Sequence, residues 1–182
     1  NKFPVSEKVK LYPKNIYGLS KKMNEEYVDI NYCGKTTYIG LRFFTVFGEW
    51  GRPDMLILKF LDYAKKKKTF YVNNSGNHWR DFTYIEDVVE ILCKLMIKNF
   101  EKNEIYNVCS NRPILIKELL NHLIKKTNFR KIKNIKHNKI EVYKTHGKNN
   151  KINKFLSYKK YSNFYDCVDK TIKWHEKYGN LL

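Results

Sequence analysis

A nearly continuous run of apolar, aromatic and β-branched residues, TTYIGLRFF at positions 36–44, directly follows a segment of helical character at positions 15–32. A strand with one solvent-exposed face alternates apolar and polar residues, whereas a strand buried on both faces is apolar along its length. Covered strands of this kind are combined with helices in α/β proteins. The succession of a helix and a buried strand therefore predicts an α/β fold.

The rest of the chain continues this alternation. The segment GEWGRPD at 48–54 contains two glycines and a proline and is predicted to be a loop, with Asp54 capping the helix that follows. Pro113 is expected in the first turn of a later helix. Further helices are predicted over 55–68, 85–98, 113–126 and 162–178, and further strands over 69–72, 80–84, 104–109 and, in a weakly patterned stretch, 140–145.

The charge of the chain is strongly positive, +18 from 36 Lys+Arg against 18 Asp+Glu. A hydrophobic content of 42% supports a packed core and excludes a disordered polycation. Arginine, the residue that reads nucleic acid through bidentate contacts, supplies only 5 of the 36 basic side chains. A solvated lysine surface without a specific nucleic-acid partner is therefore expected. The alternative from another class, a basic nucleic-acid-binding module, predicts binding that survives high salt.

The lengths of the apolar segments and the spacing of the cysteines bear on the compartment of the protein and on whether it binds a metal ion. The sequence has no apolar run of about eighteen residues and no apolar leader, so we expect neither a membrane span nor a signal peptide, and a cytoplasmic protein. Its four cysteines, Cys33, Cys93, Cys109 and Cys167, are far apart and form no C-x-x-C pair. We therefore expect no metal site and predict reduced, buried thiols.

Tyr17 and Lys21 are four residues apart in the first predicted helix, and so share one face of it. An adjacent ammonium stabilises a phenolate, which makes a tyrosine usable as a general base. The spacing alone is weak, because Tyr63 and Lys67 repeat it at the end of an amphipathic helix in a lysine run. Context favours Tyr17, which lies in PKNIYGLSKK shortly before the buried strand.

The chain has only eight glycines, and none forms a G-x-G-x-x-G loop after a strand. Such a loop lets the backbone cradle the pyrophosphate of a dinucleotide. These residues therefore lack the phosphate-binding turn of a dinucleotide site.

Three segments in order, PKNIYGLSKKMNEE (13–26), GLRFFTVFGEWGRPDM (40–55) and GNHWRDFTYIEDV (76–88), resemble the C-terminal half of the extended short-chain dehydrogenases that act on nucleotide sugars, in particular UDP-glucuronate 4-epimerases. The resemblance implies the C-terminal part of a Rossmann-type parallel sheet plus a smaller α/β substrate-binding domain. Residues 1–50 would end the NAD-binding domain and 51–182 would bind the nucleotide sugar. The glycine-loop half would be absent, so the isolated chain is expected to be inactive, and the full-length protein is expected to be a homodimer.

The resemblance also implies the chemistry. Tyr17 would take the proton of the sugar 4-hydroxyl while hydride moves from C4 to NAD, after which the 4-keto sugar turns over and hydride returns to its other face. Lys21 would be the electrostatic partner of Tyr17. Both residues, together with Phe44 and Val46 at the carboxyl end of the buried strand, would contact NAD.

A second set of residues would hold the UDP-sugar. By the resemblance, Thr45 and Arg52 would contact the sugar carboxylate and Arg80 the diphosphate. Tyr71 and Val72 align with a segment that packs on uracil, or are ordinary strand core. Arg42, inside the strand, is instead expected to form a structural ion pair.

The chain departs from the family pattern near the nucleotide ribose. Relatives carry Gly-Asp-Val and then Thr-x-Ala-Asp, whereas this chain has IEV at 140–142 and THGK at 145–148. Glu141 could replace the aspartate, but Lys148 could not. A nucleotide-sugar 4,6-dehydratase or a UDP-glucose 4-epimerase remains the alternative reading within the same superfamily.

Overall fold

The computed structural model describes residues 2–31, 36–136, 142–158 and 160–181. The strands in these residues form three small sheets, and the expected α/β fold is confirmed. The pairs are β1 (Ile39–Phe43) parallel to β5 (Glu104–Val108), β2 (Thr45–Phe47) parallel to β4 (Trp79–Tyr84), β4 antiparallel to β6 (Pro113–Leu115), and β3 (Phe70–Asn73) parallel to β7 (Ile132–Ile135).

The helices alternate with these strands along the chain. Each longer helix after the first has its apolar residues at three- and four-residue spacing, which places them on one buried face. The helices are α1 (Ile16–Asn31), α2 (Leu56–Lys65), α3 (Ile85–Met96), α4 (Ile116–Thr127), α5 (Asn150–Leu156) and α6 (Phe164–Tyr178).

The apolar run at 36–44 does not form one strand. It supplies β1, and after Phe44 the chain enters β2 in a different sheet. The Phe44 N–H still donates to the carbonyl of Val108 at 3.2 Å, so the junction itself is hydrogen-bonded to β5. The covered strand expected from the sequence is therefore shared between two sheets.

Two hydrophobic cores lie on opposite faces of the β2–β4 pair. The larger core contains side chains of β2, β3, β4, α2, α4 and α6, while the smaller one lies between α3, α5 and β5. Alternation along β2 explains the division, since Phe47 packs in the first core and its neighbour Val46 against the second.

None of the residues of helix α1 is buried. The helix is attached to the rest of the chain by polar contacts. Arg42 of β1 donates from Nε and Nη2 to the two carboxylate oxygens of Glu25 at 2.8 and 2.7 Å, and from Nη1 to the carbonyl of Glu7 at 3.1 Å. The hydrogen bond with Glu25 raises the pKa of Arg42. The predicted structural pairing of Arg42 is confirmed.

Two local predictions were wrong. Asp54 does not cap α2: the residue before the helix is Met55, which makes no side-chain cap hydrogen bond, and the Asp54 carboxylate pairs with Arg52. Pro113 does not open a helix but begins β6, because Pro113–Leu115 pairs with β4 and α4 starts only at Ile116. A proline is tolerated at the start of a strand.

The weakly patterned stretch contained elements that the sequence did not indicate, namely β7 and α5. Of the strand expected at 140–145, residues 140 and 141 lie outside the described part, and Lys144 forms only an isolated bridge with Trp79. Each of the remaining predicted helices and strands is present within a few residues of its expected ends.

The cysteine prediction holds in part. Cys109 and Cys167 are buried and free, but Cys93 is exposed on α3, and Cys33 lies outside the described residues. Among the described residues, no group of three or more His, Cys, Asp or Glu side chains could hold a metal ion.

The helices of the described chain are each too short or too polar to cross a bilayer.

The smaller core gives a prediction on stability. Ile91 is fully buried in α3, whereas Ile97, at the end of the same helix, is 83% exposed. Ile91→Ala should lower the free energy of unfolding by about 2–5 kcal/mol because it leaves a cavity. Ile97→Ala, the matched control, should change it by less than about 0.5 kcal/mol. Urea unfolding measures both, and equal effects would contradict this description of the core.

Candidate active site

Tyr17 and Lys21 lie on the exposed side of α1. The helix begins where the N–H of Gly18 donates to Asn15 Oδ1 at 2.8 Å, the bond that an N-cap residue makes. One turn then separates the two residues, and the Lys21 ammonium lies 5.5 Å from the centroid of the Tyr17 ring. Tyr17 is 67% exposed. The expected phenol and ammonium pair is therefore formed and open to a ligand.

A loop at 48–54 follows β2, and its first two residues have close contacts with the end of β4 and the beginning of α3. Gly48 has a φ of +139°, and a Cβ there would lie 2.4 Å from Ile85 Cγ2, so only glycine fits. The next residue, Glu49, accepts hydrogen bonds from the hydroxyl of Tyr84 at 3.0 and 2.8 Å. Burial, and secondly this carboxylate, raise the pKa of Tyr84, so the hydroxyl stays a donor.

The middle of the loop packs on α6. The Trp50 ring lies 5.1 Å from the ring of Trp174 in an edge-on arrangement and 6.4 Å from that of Tyr178. Trp50 has a left-handed φ of 56°, a backbone conformation that is uncommon for residues other than glycine. The C-terminal helix thus supports the loop that carries Arg52.

Arg52 sits at the end of this loop and forms a bidentate pair with Asp54. Its Nε and Nη2 donate to the two carboxylate oxygens at 3.0 and 2.5 Å. The hydrogen bond with Asp54 raises the pKa of Arg52, and a smaller contribution comes from the charge of Tyr17.

Thr45 and Arg80 project from the same face of the β2–β4 pair. Thr45 lies opposite Phe82 in the parallel register, and Arg80 precedes Phe82 by two residues. Arg80 is half-buried, and its Nη1 donates to the carbonyl of Trp79 at 2.8 Å. Thr45 also lines a small cavity with Gly48 and Gly51 of the loop.

The segment at 145–147 is attached to β4 through Asp81, a fully buried carboxylate. Asp81 accepts from the Gly147 N–H and from the Ser110 hydroxyl, each at 2.9 Å, while its own N–H donates to Thr145 Oγ1 at 3.0 Å. Burial raises the pKa of Asp81. Gly147 is required here, since a Cβ would lie 2.5 Å from the Phe44 ring.

The other predicted ligand contacts are placed differently from one another. Tyr71 is 55% exposed, whereas the side chain of Val72 is buried in the larger core and has the ordinary strand role that the sequence left open. Val46 packs against the smaller core and Phe44 over Gly147, and both residues are half-buried. Glu141 lies outside the described residues.

The sequence reasoning missed three residues of the site: Glu49, Trp50 and Asp54. The partners of Glu49 and Trp50 are 35 and more residues away, so no local pattern indicates them. Asp54 had a local signal. A proline between an arginine and an aspartate favours a tight turn, which brings the two side chains together.

The sequence pattern of the NAD dependent epimerase/dehydratase family matches residues 1–109, more than half of the chain. The chain belongs to this family. The match includes α1 with Tyr17 and Lys21, the loop with Arg52, and β4 with Arg80. The family resemblance inferred from the sequence is confirmed.

Curated relatives of this epimerase/dehydratase chain are longer than it is. It is 30% identical over 197 residues to UDP-glucuronate 4-epimerase 4 of Arabidopsis thaliana, covering 97% of this chain and 45% of that protein. Protein CapI of Staphylococcus aureus is 28% identical over 186 residues, 92% of this chain and 56% of that protein. The chain thus spans about half the length of these relatives.

Solved structures confirm the Rossmann-type fold. The UDP-glucuronic acid 4-epimerase from Bacillus cereus, in complex with UDP-glucuronic acid and NAD, has a TM-score of 0.89 at 22% identity over 97% of this chain and 57% of that one. DesIV, a dTDP-glucose 4,6-dehydratase from Streptomyces venezuelae with NAD bound, has a TM-score of 0.86 at 18% identity over 98% of this chain and 56% of that one.

NAD dependence defines the family, which confirms the cofactor expected from the sequence. The described residues fit one end of NAD. Tyr17 and Lys21 present a phenol and an ammonium on an open helix face, and these donors suit ribose hydroxyls. The 182 residues contain no glycine-rich phosphate loop, so their fit to NAD does not extend to its pyrophosphate.

Support of the loop by α6 is testable on the chain itself. The Met55 N–H donates to the Arg52 carbonyl at 3.1 Å and reports whether the loop is closed. Trp174→Ala removes the aromatic contact with Trp50 and should speed hydrogen exchange of the Met55 amide about 2- to 10-fold. Trp174→Phe, which keeps a ring, should have a smaller effect. Unchanged Met55 protection in Trp174→Ala would show that the loop does not depend on α6.

Proposed function

We propose that this chain is the substrate-binding part of an NAD-dependent nucleotide-sugar 4-epimerase that interconverts UDP-glucuronate and UDP-galacturonate. The observation that carries the proposal is the pairing of two chemistries. Tyr17 with Lys21 offers a base for a sugar hydroxyl, and Arg52 holds a carboxylate in a bidentate contact. A substrate with a carboxylate and an oxidisable hydroxyl uses both.

NAD would be held at its nicotinamide ribose by Lys21 and would supply hydride-transfer chemistry at C4 of the sugar. Tyr17 accepts the proton of the 4-hydroxyl and gives it back to the 4-keto oxygen, and Lys21 stabilises the phenolate and holds the nicotinamide ribose. The open face of α1 lets both side chains reach one ligand. Inversion at C4 would require the 4-keto sugar to turn over between its oxidation and its reduction.

Substrate recognition is assigned to groups around this base. Arg52 with Thr45 binds the sugar carboxylate, because a planar guanidinium matches two carboxylate oxygens. Arg80, on the same sheet face as Thr45, binds the diphosphate, and exposed Tyr71 packs on uracil.

The remaining expectations are part of the same proposal. Residues 1–50 end the NAD-binding domain and 51–182 bind the nucleotide sugar, with a boundary in the loop after β2. The missing glycine loop means that these residues by themselves do not turn over substrate. The intact enzyme is a homodimer, which exposed apolar side chains on α1 favour, and free cysteines support a reducing cytoplasm.

A nucleotide-sugar 4,6-dehydratase or UDP-glucose 4-epimerase is the second candidate, favoured by the similar TM-score of the DesIV dehydratase. Sugars for those reactions carry a hydroxymethyl group at C6 rather than a carboxylate. A guanidinium aimed at C6 then contributes little to binding. The role of Arg52 therefore separates the candidates.

The assignment of Tyr17 as the general base predicts how removal of its hydroxyl group changes kcat. In the intact, NAD-loaded enzyme, Tyr17→Phe should lower kcat at least about 100-fold, because proton transfer from the hydroxyl is lost, while UDP-sugar affinity is nearly kept. Tyr63→Phe, in the second Tyr-x-x-x-Lys pair, is the matched control and should stay within about 2-fold. If Tyr17→Phe kept more than a tenth of the activity, Tyr17 would not be the base.

The carboxylate assignment predicts a selective loss. Arg52→Ala should raise the Kd of UDP-glucuronate about 10- to 100-fold and change that of UDP-glucose little, because only the acid sugar uses the fork. Arg52→Lys keeps the charge without the bidentate geometry, so its Kd for UDP-glucuronate should lie between those of the parent enzyme and Arg52→Ala. Calorimetric titration measures these constants, and equal losses for both nucleotide sugars would contradict the assignment.

A further inference from the structure

The guanidinium assigned to the substrate already holds a carboxylate of its own chain. Both oxygens of Asp54 accept from Arg52, at 3.0 and 2.5 Å, in the geometry that a sugar carboxylate would need. The two side chains are 71% and 61% exposed, so a ligand can reach the pair. The Nε–Nη2 edge of the guanidinium holds one carboxylate at a time in this contact, and its five N–H donors include a second edge formed by Nη1 and Nη2.

The pair is built into the local backbone. The Met55 N–H donates to the Arg52 carbonyl at 3.1 Å, which closes a four-residue turn with Pro53 in its second position. Proline fixes φ at the value that this position requires. The turn places Arg52 and Asp54 side by side whether or not a ligand is near, and Asp54 has no capping bond to α2 that would otherwise explain it.

We propose that Asp54 is a specificity-determining residue: it occupies the Nε–Nη2 edge of Arg52 in the free enzyme, and the carboxylate of the acid sugar binds the same edge and displaces it. The inference rests on the proposed function, since it assigns Arg52 to that carboxylate. A neutral sugar has no group that replaces Asp54, so it meets a closed ion pair. Asp54 therefore admits ligands that present two coplanar oxygens.

Asp54 is also influenced by a second cation. The charge of Lys59 on α2 contributes to lowering the pKa of Asp54, after the larger effect of Arg52. The cost of opening the pair is small, because exposed ion pairs are weak. Competition by Asp54 should accordingly weaken acid-sugar binding by a modest factor.

The test measures binding without turnover, in the intact, NAD-loaded enzyme carrying Tyr17→Phe. Adding Asp54→Asn removes the competing charge and should lower the Kd of UDP-glucuronate about 2- to 5-fold, while the Kd of UDP-glucose does not fall. Asp54→Glu keeps a carboxylate, so its Kd for UDP-glucuronate should stay near that of the Tyr17→Phe parent. Asp54→Ala is a second neutral variant, and thermal melting of each variant checks that it is folded.

Arg52→Ala in the same background distinguishes a failure of the inference on Asp54 from a failure of the proposed function. With Arg52 absent, Asp54→Asn should give no gain in UDP-glucuronate affinity, which shows that the effect passes through the fork. If Arg52→Ala weakens UDP-glucuronate selectively but the neutral Asp54 variants leave its Kd unchanged or raise it, the inference on Asp54 is wrong and the proposed function stands. If Arg52→Ala has no selective effect, both fail.

Discussion

One extended segment, residues 39–47, is hydrogen-bonded to two sheets and determines where each part of the site lies. Its first half pairs with β5 and its second half with β4, and the chain crosses between them at Phe44. Arg42 in the first half holds α1, and Gly48 directly after the second half begins the loop of Arg52. A shift of this segment would move the phenol and the guanidinium relative to each other.

The assembly around this segment depends on a few charged groups with fixed partners. Arg42 is matched to Glu25 and Arg52 to Asp54, while buried Asp81 attaches Gly147 and Ser110 to β4 next to Arg80. The abundant lysines instead form mainly exposed pairs, which contribute little to stability. In a chain of net charge +18, specific geometry thus comes from arginine and the scarce carboxylates.

The parts that could be predicted from sequence have local signals. Amphipathic spacing indicated α2, α3, α4 and α6, and the covered strand indicated the α/β class. The break at Phe44 was not predictable, because an apolar run looks the same whether it serves one sheet or two. The contacts of Glu49 with Tyr84 and of Trp50 with Trp174 join distant parts of the chain. The beginning of α4 was misplaced because Pro113 suits both a first helical turn and an edge strand.

The central claim is that these residues support removal and return of hydride at C4 of an acid nucleotide sugar. UDP-glucuronate deuterated at C4 tests it most directly, in the intact enzyme with NAD bound. The account predicts UDP-galacturonate that keeps the deuterium at C4, because the same hydride returns to the other face of the sugar. A galacturonate product that has lost the label to solvent, or an enzyme that converts only sugars without a carboxylate, would contradict it.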